Sequence, residues 1–342
     1  MASPVSPGTK IASPLTSASI DIIKERIFIK PDKNFKTALF TIEYYIKSDK
    51  QGQQIPLLFY ALDFREDFKV WIDDQEIHLK NIPEDLLIQD SSLLFDFNHL
   101  FDSTYNSYSD NELFLNYGSW NNYYLNIEDL KYFETEITKT YHIVRVEYKA
   151  NRWVDHSGWI KQYSFRYALS PAKYWKSFGE LEVTIDGSNF KGELTTNLGD
   201  PIVDELSQKA YWKFSSLPKD VLEINYKPKS FSENTLKSIP FFTSILLGIL
   251  LTVIHYFIIK RYRQKNPRSK FSYPFLIGSF LVPLFALMGF SYSYDIIDSF
   301  IGEHASKYHG YIFIYNFSYP FILVIYLLSM SLLDKDMKKK YE

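Results

Sequence analysis

Ile239–Ile259 reads IPFFTSILLGILLTVIHYFII, 21 residues with no charged side chain. An α-helix needs about 20 such residues to cross the hydrocarbon core of a bilayer. The stretch does not stand alone. Phe271–Tyr294 and Gly310–Leu333 are two further uncharged runs of 24 residues each, and all three fall within the last third of a 342-residue chain. Three runs so close together are hard to bury in a water-soluble core, so they predict three transmembrane helices.

The flanks give those helices a direction. Residues 260–270 carry Lys260, Arg261, Arg263, Lys265, Arg268 and Lys270 without an acid, and residues 334–342 carry Lys335, Lys338, Lys339 and Lys340. Residues 295–309 instead hold Asp295, Asp298 and Glu303 against Lys307. The positive-inside rule therefore predicts a cytoplasmic first loop and C-terminus, with the N-terminal domain and the second loop outside. Residues 1–19, rich in Ser, Pro and Thr, have no apolar signal region. An exported domain needs one, so a native signal peptide is expected to be missing from this sequence. None of the asparagines before Ile239 opens an N-x-Ser/Thr acceptor, which favours a bacterial cytoplasmic membrane over a eukaryotic lumenal surface.

Before the spans the pattern has a different period. IKERIFIK, TALFTIEYYIK, HIVRVEYKA, ELEVTID and VLEINYK alternate apolar with polar residues and are separated by Gly, Asn, Asp and Pro. That is the signature of strands with one buried face. The fold class expected is mainly β: an antiparallel β-sandwich over residues 20–230, followed by the three helices. FKVWIDDQEIHL predicts a hairpin turning at Asp73–Asp74. Residues 83–136 interrupt the alternation with eleven Asp and Glu against Lys131, and they read as an acidic, aromatic insertion. A connection of that length is expected to be functional.

YALSPAKYWKSFGELEVTID, with Tyr167, Leu169, Pro171, Ala172, Trp175 and the strand Leu181–Ile185, resembles bacterial membrane-anchored proteins that carry a β-sandwich extracytoplasmic domain of unknown function. The resemblance implies a sandwich outside the membrane and brings no catalytic residue with it. Trp175 is expected to fill the core.

The chemistry on offer is sparse. There is no cysteine, which excludes disulfides, thiolate zinc sites and a cysteine nucleophile. A net charge of -2 argues against nucleic-acid binding. No nucleotide-binding, lipase-type or zincin motif appears. His156 in WVDHSGW neighbours Asp155 and Ser157, yet adjacent strand residues face opposite ways and do not make a triad. Glu303, His304 and His309 on the second loop match no specific metal spacing. No catalytic residue, metal or cofactor is therefore assigned.

Binding residues are easier to nominate. Tyr117, Trp120, Tyr123 and Tyr124, with Asp96, Asp102 and Asp110, form a candidate surface in the insertion for a protein or glycan partner. Ser244, Gly248 and Thr252 recur every four residues and offer one helix face for close packing. Asn316 is the carboxamide of the spans, and such a group is expected to face protein or a cavity. Pro283 and Pro320 each fall near the middle of a span. Each removes the helical donor of a carbonyl four residues earlier, at Ser279 or Asn316, which predicts two kinks. The pentapeptide FSYPF occurs at Phe271–Phe275 and again at Phe317–Phe321, and by depth the copies are expected to be unrelated: Pro274 opens a helix, whereas Pro320 breaks one.

These readings lead to a non-catalytic, membrane-anchored binding or scaffolding subunit of a bacterial envelope complex. The alternatives are a component of an oligomeric channel or transporter with a polar site near Asn316, and an extracytoplasmic hydrolase.

Overall fold

The computed structural model describes residues 2–4, 17–48, 54–61, 63–81, 112–116, 122–126, 130–169, 172, 175–229, 233–307 and 309–341. They divide into two compact units, residues 1–154 with 162–227 and residues 155–161 with 228–342.

The first unit is built of sheets. Its largest has seven strands in the spatial order Lys209–Phe214, Trp175–Asp186, Ser17–Pro31, Thr37–Ser48, Tyr141–Asn151, Phe64–Ile72 and Gln75–Ile77. Thr37–Ser48 alternates strictly between buried and half-buried residues, as a strand with one face on a core must. Asp73 and Asp74 both have positive φ, 49° and 67°, and close the hairpin between Phe64–Ile72 and Gln75–Ile77. Two smaller sheets share the same core: Ala2–Pro4, Gln54–Tyr60 and Leu130–Glu136, and Trp153–Asp155, Gln162–Ala168, Val221–Tyr226 and Leu194–Thr196. Aromatic rings join the layers. Phe35 packs on Phe165 at 4.6 Å between centroids, and Tyr148 stacks on Phe40 at 5.1 Å and meets Phe59 edge-on. Tyr167, Leu169, Ala172 and Trp175 are all buried in this core.

Two expectations need correction. The sheets are mostly antiparallel, but Ser17–Pro31 and Trp175–Asp186 pair in parallel. A parallel pair needs a long crossover, and the intervening chain supplies it. The described residues are also only partly β: beside the sheets stand three long helices, Glu233–Lys265, Tyr273–Ile301 and the run from Gly310 to Tyr341.

One strand carries a built irregularity. Between Ile22 and Lys24 the register of Ser17–Pro31 shifts against Thr37–Ser48, so Ile20 and Ile22 face the core before the bulge, and Glu25, Ile27 and Ile29 face it after. The neighbouring strand accommodates the bulge with Gly179. A Cβ there would stand 2.0 Å from the Ile23 carbonyl oxygen, a space no side chain can share.

The second unit contains three helices long and apolar enough to cross a membrane. The first is Glu233–Lys265 and the second is Tyr273–Ile301. The third begins as a 3₁₀ segment, Gly310–Ser318, and continues as the α-helix Tyr319–Tyr341. This replaces the kink expected at Pro320. Pro320 sits in the first turn of the α-helix, where its missing N–H breaks no bond. The Asn316 carbonyl accepts from the Tyr319 N–H instead, in the i to i+3 manner of a 3₁₀ turn. Both FSYPF copies thus do the same local work: an α-helix starts at Tyr273 with Pro274, and another at Tyr319 with Pro320. Pro283, by contrast, lies inside a continuous helix.

Polar contacts join the helices. Ser244 Oγ donates to the Ala286 carbonyl at 2.9 Å, and Gly248 lies against Ala286. Thr252 Oγ1 turns back to the Gly248 carbonyl at 2.7 Å. His255 is buried and spans all three helices. Its Nε2–H donates to the Pro274 carbonyl, so Nδ1 accepts from the Tyr326 hydroxyl, both at 3.0 Å. Gly278 makes room for the ring, since a Cβ there would come within 2.2 Å of Nε2. At the other end of the first helix, Arg263 and Asp334 form a buried bidentate pair, with Nε to Oδ1 at 2.8 Å.

Candidate functional site

The site lies where the second helix ends and the third begins. Gly302, at φ 71°, terminates the second helix with its N–H on the Asp298 carbonyl. The chain then makes one 3₁₀ turn, Gly302–His304, before Ala305 pairs across to Ile160. Residues 155–161 belong to this unit and clasp the turn through backbone bonds. Lys161 N–H donates to the His304 carbonyl and Ser306 N–H to the Trp159 carbonyl, both at 2.9 Å. Ser306 Oγ donates to the His156 carbonyl at 2.5 Å.

Trp159 fixes the arrangement. Its Nε1–H donates to Asp298 Oδ1 at 2.8 Å, and its ring stacks on Tyr294 at 5.0 Å with an interplanar angle of 7°. His309 meets both rings, at 4.8 Å and 5.1 Å, and its Nε2 lies 3.0 Å from the same Asp298 oxygen. A carboxylate only accepts, so that imidazole nitrogen carries the proton. Trp159, Tyr294 and Asp298 are each at least nine-tenths buried. Ile160, Leu236, Ile297 and Ile312 surround them with apolar contact.

Beside this cluster is an open cavity of about 800 Å³. Asp295, Asp298, Lys307, His309, Ser291, Ser299 and Asn316 contribute polar groups to its wall, and Ile312 and Phe313 give it an apolar side. Lys307 has φ 59°, a left-handed conformation uncommon for a residue with a Cβ. Among the described residues no three His, Asp or Glu side chains gather as a metal set.

The residues nominated from the sequence are scattered. Asn316 lines the cavity; Ser244, Gly248 and Thr252 lie on the first helix, two of them against the second. Ser279 is fully buried, and its hydroxyl has no partner among the described residues. Tyr117, Trp120, Asp96, Asp102 and Asp110 lie outside the described residues. Tyr123 and Tyr124 belong to a described strand, Asn122–Asn126, which pairs with Glu112–Asn116. The cluster itself was missed. Trp159 stands 139 positions from Asp298, and the visible signals were only a Trp in WVDHSGW and an acid just beyond an apolar run.

No protein-family model matches the chain. No curated protein matches it either. Among solved structures it is similar to native yeast LTA4 hydrolase, over 63% of this chain and 30% of that one, at 8% identity and a TM-score of 0.35. It is also similar to the M1 zinc metallopeptidase from Deinococcus radiodurans, over 64% and 45%, at 9% identity and a TM-score of 0.32. The chain thus spans less than half the length of either enzyme. Likeness at this level carries no argument about this protein.

Proposed function

We propose that this chain is a non-catalytic, membrane-anchored binding or scaffolding subunit of a bacterial envelope complex. Its three helices lie in the cytoplasmic membrane, with the β-sandwich outside and the C-terminus inside. The observation that carries the reading is the polar cavity at the turn between the second and third helices. Its acids, lysine, hydroxyls and carboxamide are groups that hold a ligand, and the buried Trp159–Asp298–His309 cluster braces it. A protein or glycan partner is assigned to the acidic insertion. Lys80 bridges to Tyr132, with its N–H on the Tyr132 carbonyl at 2.9 Å, so the two chain segments that flank the insertion are bonded to each other.

That geometry defines the test. Replacing residues 83–128 by a short Gly/Ser linker keeps the strand Leu130–Glu136, whose Phe133 is fully buried. The shortened protein is expected to insert normally and to lose its co-purifying partner; unchanged co-purification would remove that role from the insertion. A second reading, a component of an oligomeric channel or transporter, draws support from Asn316, which faces the cavity. Flux that survives Asn316→Leu in a correctly inserted protein would count against it.

A further inference from the structure

Resting on the binding role given to the cavity, we propose that it holds the headgroup of a phospholipid bearing a primary ammonium, of the phosphoethanolamine class. Its depth fits such a ligand. The second candidate span runs 32 residues, Tyr273–His304. At about 1.5 Å per residue that is roughly 48 Å, against about 30 Å of hydrocarbon. Counting about 20 residues from Tyr273 ends the crossing near Tyr292. The cavity residues Tyr294, Asp295 and Asp298 then stand in the headgroup layer, and Ile312 and Phe313 give an acyl chain an apolar wall.

The polar groups select the charge. Asp298 takes both of its donors on Oδ1, and among the described residues Oδ2 has none. Asp295 is a second acceptor in the same wall, with the Ser291 and Ser299 hydroxyls nearby. An ammonium with three N–H donors satisfies such a set. Lys307 lines the same cavity and pairs with no acid among the described residues, so it is placed to meet a phosphate. A quaternary ammonium fits less well. It has no N–H to donate and needs open ring faces, whereas Tyr294 and His309 already pack on Trp159. Among the described residues no group of three His, Asp or Glu side chains gathers here for a divalent ion.

The test uses the full-length protein purified in mild detergent. Native mass spectrometry measures retention of dioleoyl phosphatidylethanolamine, phosphatidylcholine and phosphatidylglycerol added in equal amounts. The expected preference for the ethanolamine lipid is about tenfold, the scale of one charge-assisted hydrogen bond. Asp295→Asn and Lys307→Met lie outside the Trp159 cluster, and each is expected to erase most of that preference with the thermal midpoint unchanged. Equal retention of the three lipids, or a preference that survives both substitutions, overturns the proposal. Glycerophosphoethanolamine binding as tightly as the lipid would instead make the ligand a soluble phosphoamine and overturn the lipid assignment. Partner co-purification is scored in the same preparations. A retained partner with no lipid preference defeats the ligand class alone, whereas loss of both defeats the binding role as well.

Discussion

Glu25 in the β unit and Asp298 in the helical unit are both buried carboxyls, and their surroundings are opposite in kind. Glu25 is fully buried, and Tyr167 donates to its Oε1 at 3.0 Å; Oε2 has no partner among the described residues. Tyr167 in turn shares a 2.8 Å bond with the Tyr44 hydroxyl, so the acid ends a chain of phenols. Burial pushes its pKa up to about 7 from 4.5, and the single hydrogen bond from Tyr167 only partly opposes that. Asp298 receives an indole N–H and an imidazole N–H on one oxygen. Each carboxyl is buried, yet Glu25 has one donor and Asp298 has two. One is held in the core as a liability at neutral pH, the other as a bracket for a site.

Three substitutions test that contrast. Trp159→Ala is expected to have the largest effect, about 3–5 kcal/mol of lost stability, because it removes a buried ring, its stacking on Tyr294 and a donor to Asp298. Faster proteolysis between the second and third helices, with a lowered thermal midpoint, is the readout. Little change would mean that the cluster is not a brace.

Glu25→Gln comes next and has the opposite sign. Below pH 4.5 the carboxyl is protonated in the folded and unfolded chain alike and adds no penalty. Between pH 4.5 and about 7 the unfolded chain releases the proton while the folded chain keeps it, so stability falls as pH rises and levels off above that window. The substitution should therefore stabilise the protein by about 3 kcal/mol at pH 8 and leave it unchanged at pH 4. Denaturant unfolding followed by tryptophan fluorescence at both pH values measures the difference. A Gln variant equally destabilised at both would show that the Tyr167 bond, not the charge, governs Glu25.

Asp298→Asn should be the smallest, a loss of about 2 kcal/mol, since a neutral amide oxygen accepts the same two donors less strongly. Replacing one acid by its amide thus raises stability and replacing the other lowers it. The comparison breaks if the two shifts share a sign.

Much of this was visible along the chain. In IKERIFIK, Glu25 shares the phase of the buried Ile27 and Ile29, although Ile20 and Ile22 just before it run in the other phase. What period two did not show is the bulge at Ile22–Lys24, because its extra residue fits only where the neighbouring strand leaves room, here at Gly179. The parallel pairing of Ser17–Pro31 with Trp175–Asp186 was equally hidden, since alternation tells which face a strand buries and not which strand lies beside it. Pro320 was misplaced for a related reason. An uncharged run gives the length of a crossing but not the winding within it, and Gly310–Ser318 winds as a 3₁₀ helix.

The three apolar helices, their basic flanks and the alternating strands follow from the chain alone, because burial in lipid or against a core acts on each short segment through its own side chains. The bracing cluster and its cavity do not. Trp159 and Asp298, or Arg263 and Asp334, become partners only when distant segments are packed together, and no local pattern encodes a hydrogen bond that spans 139 or 71 positions of chain.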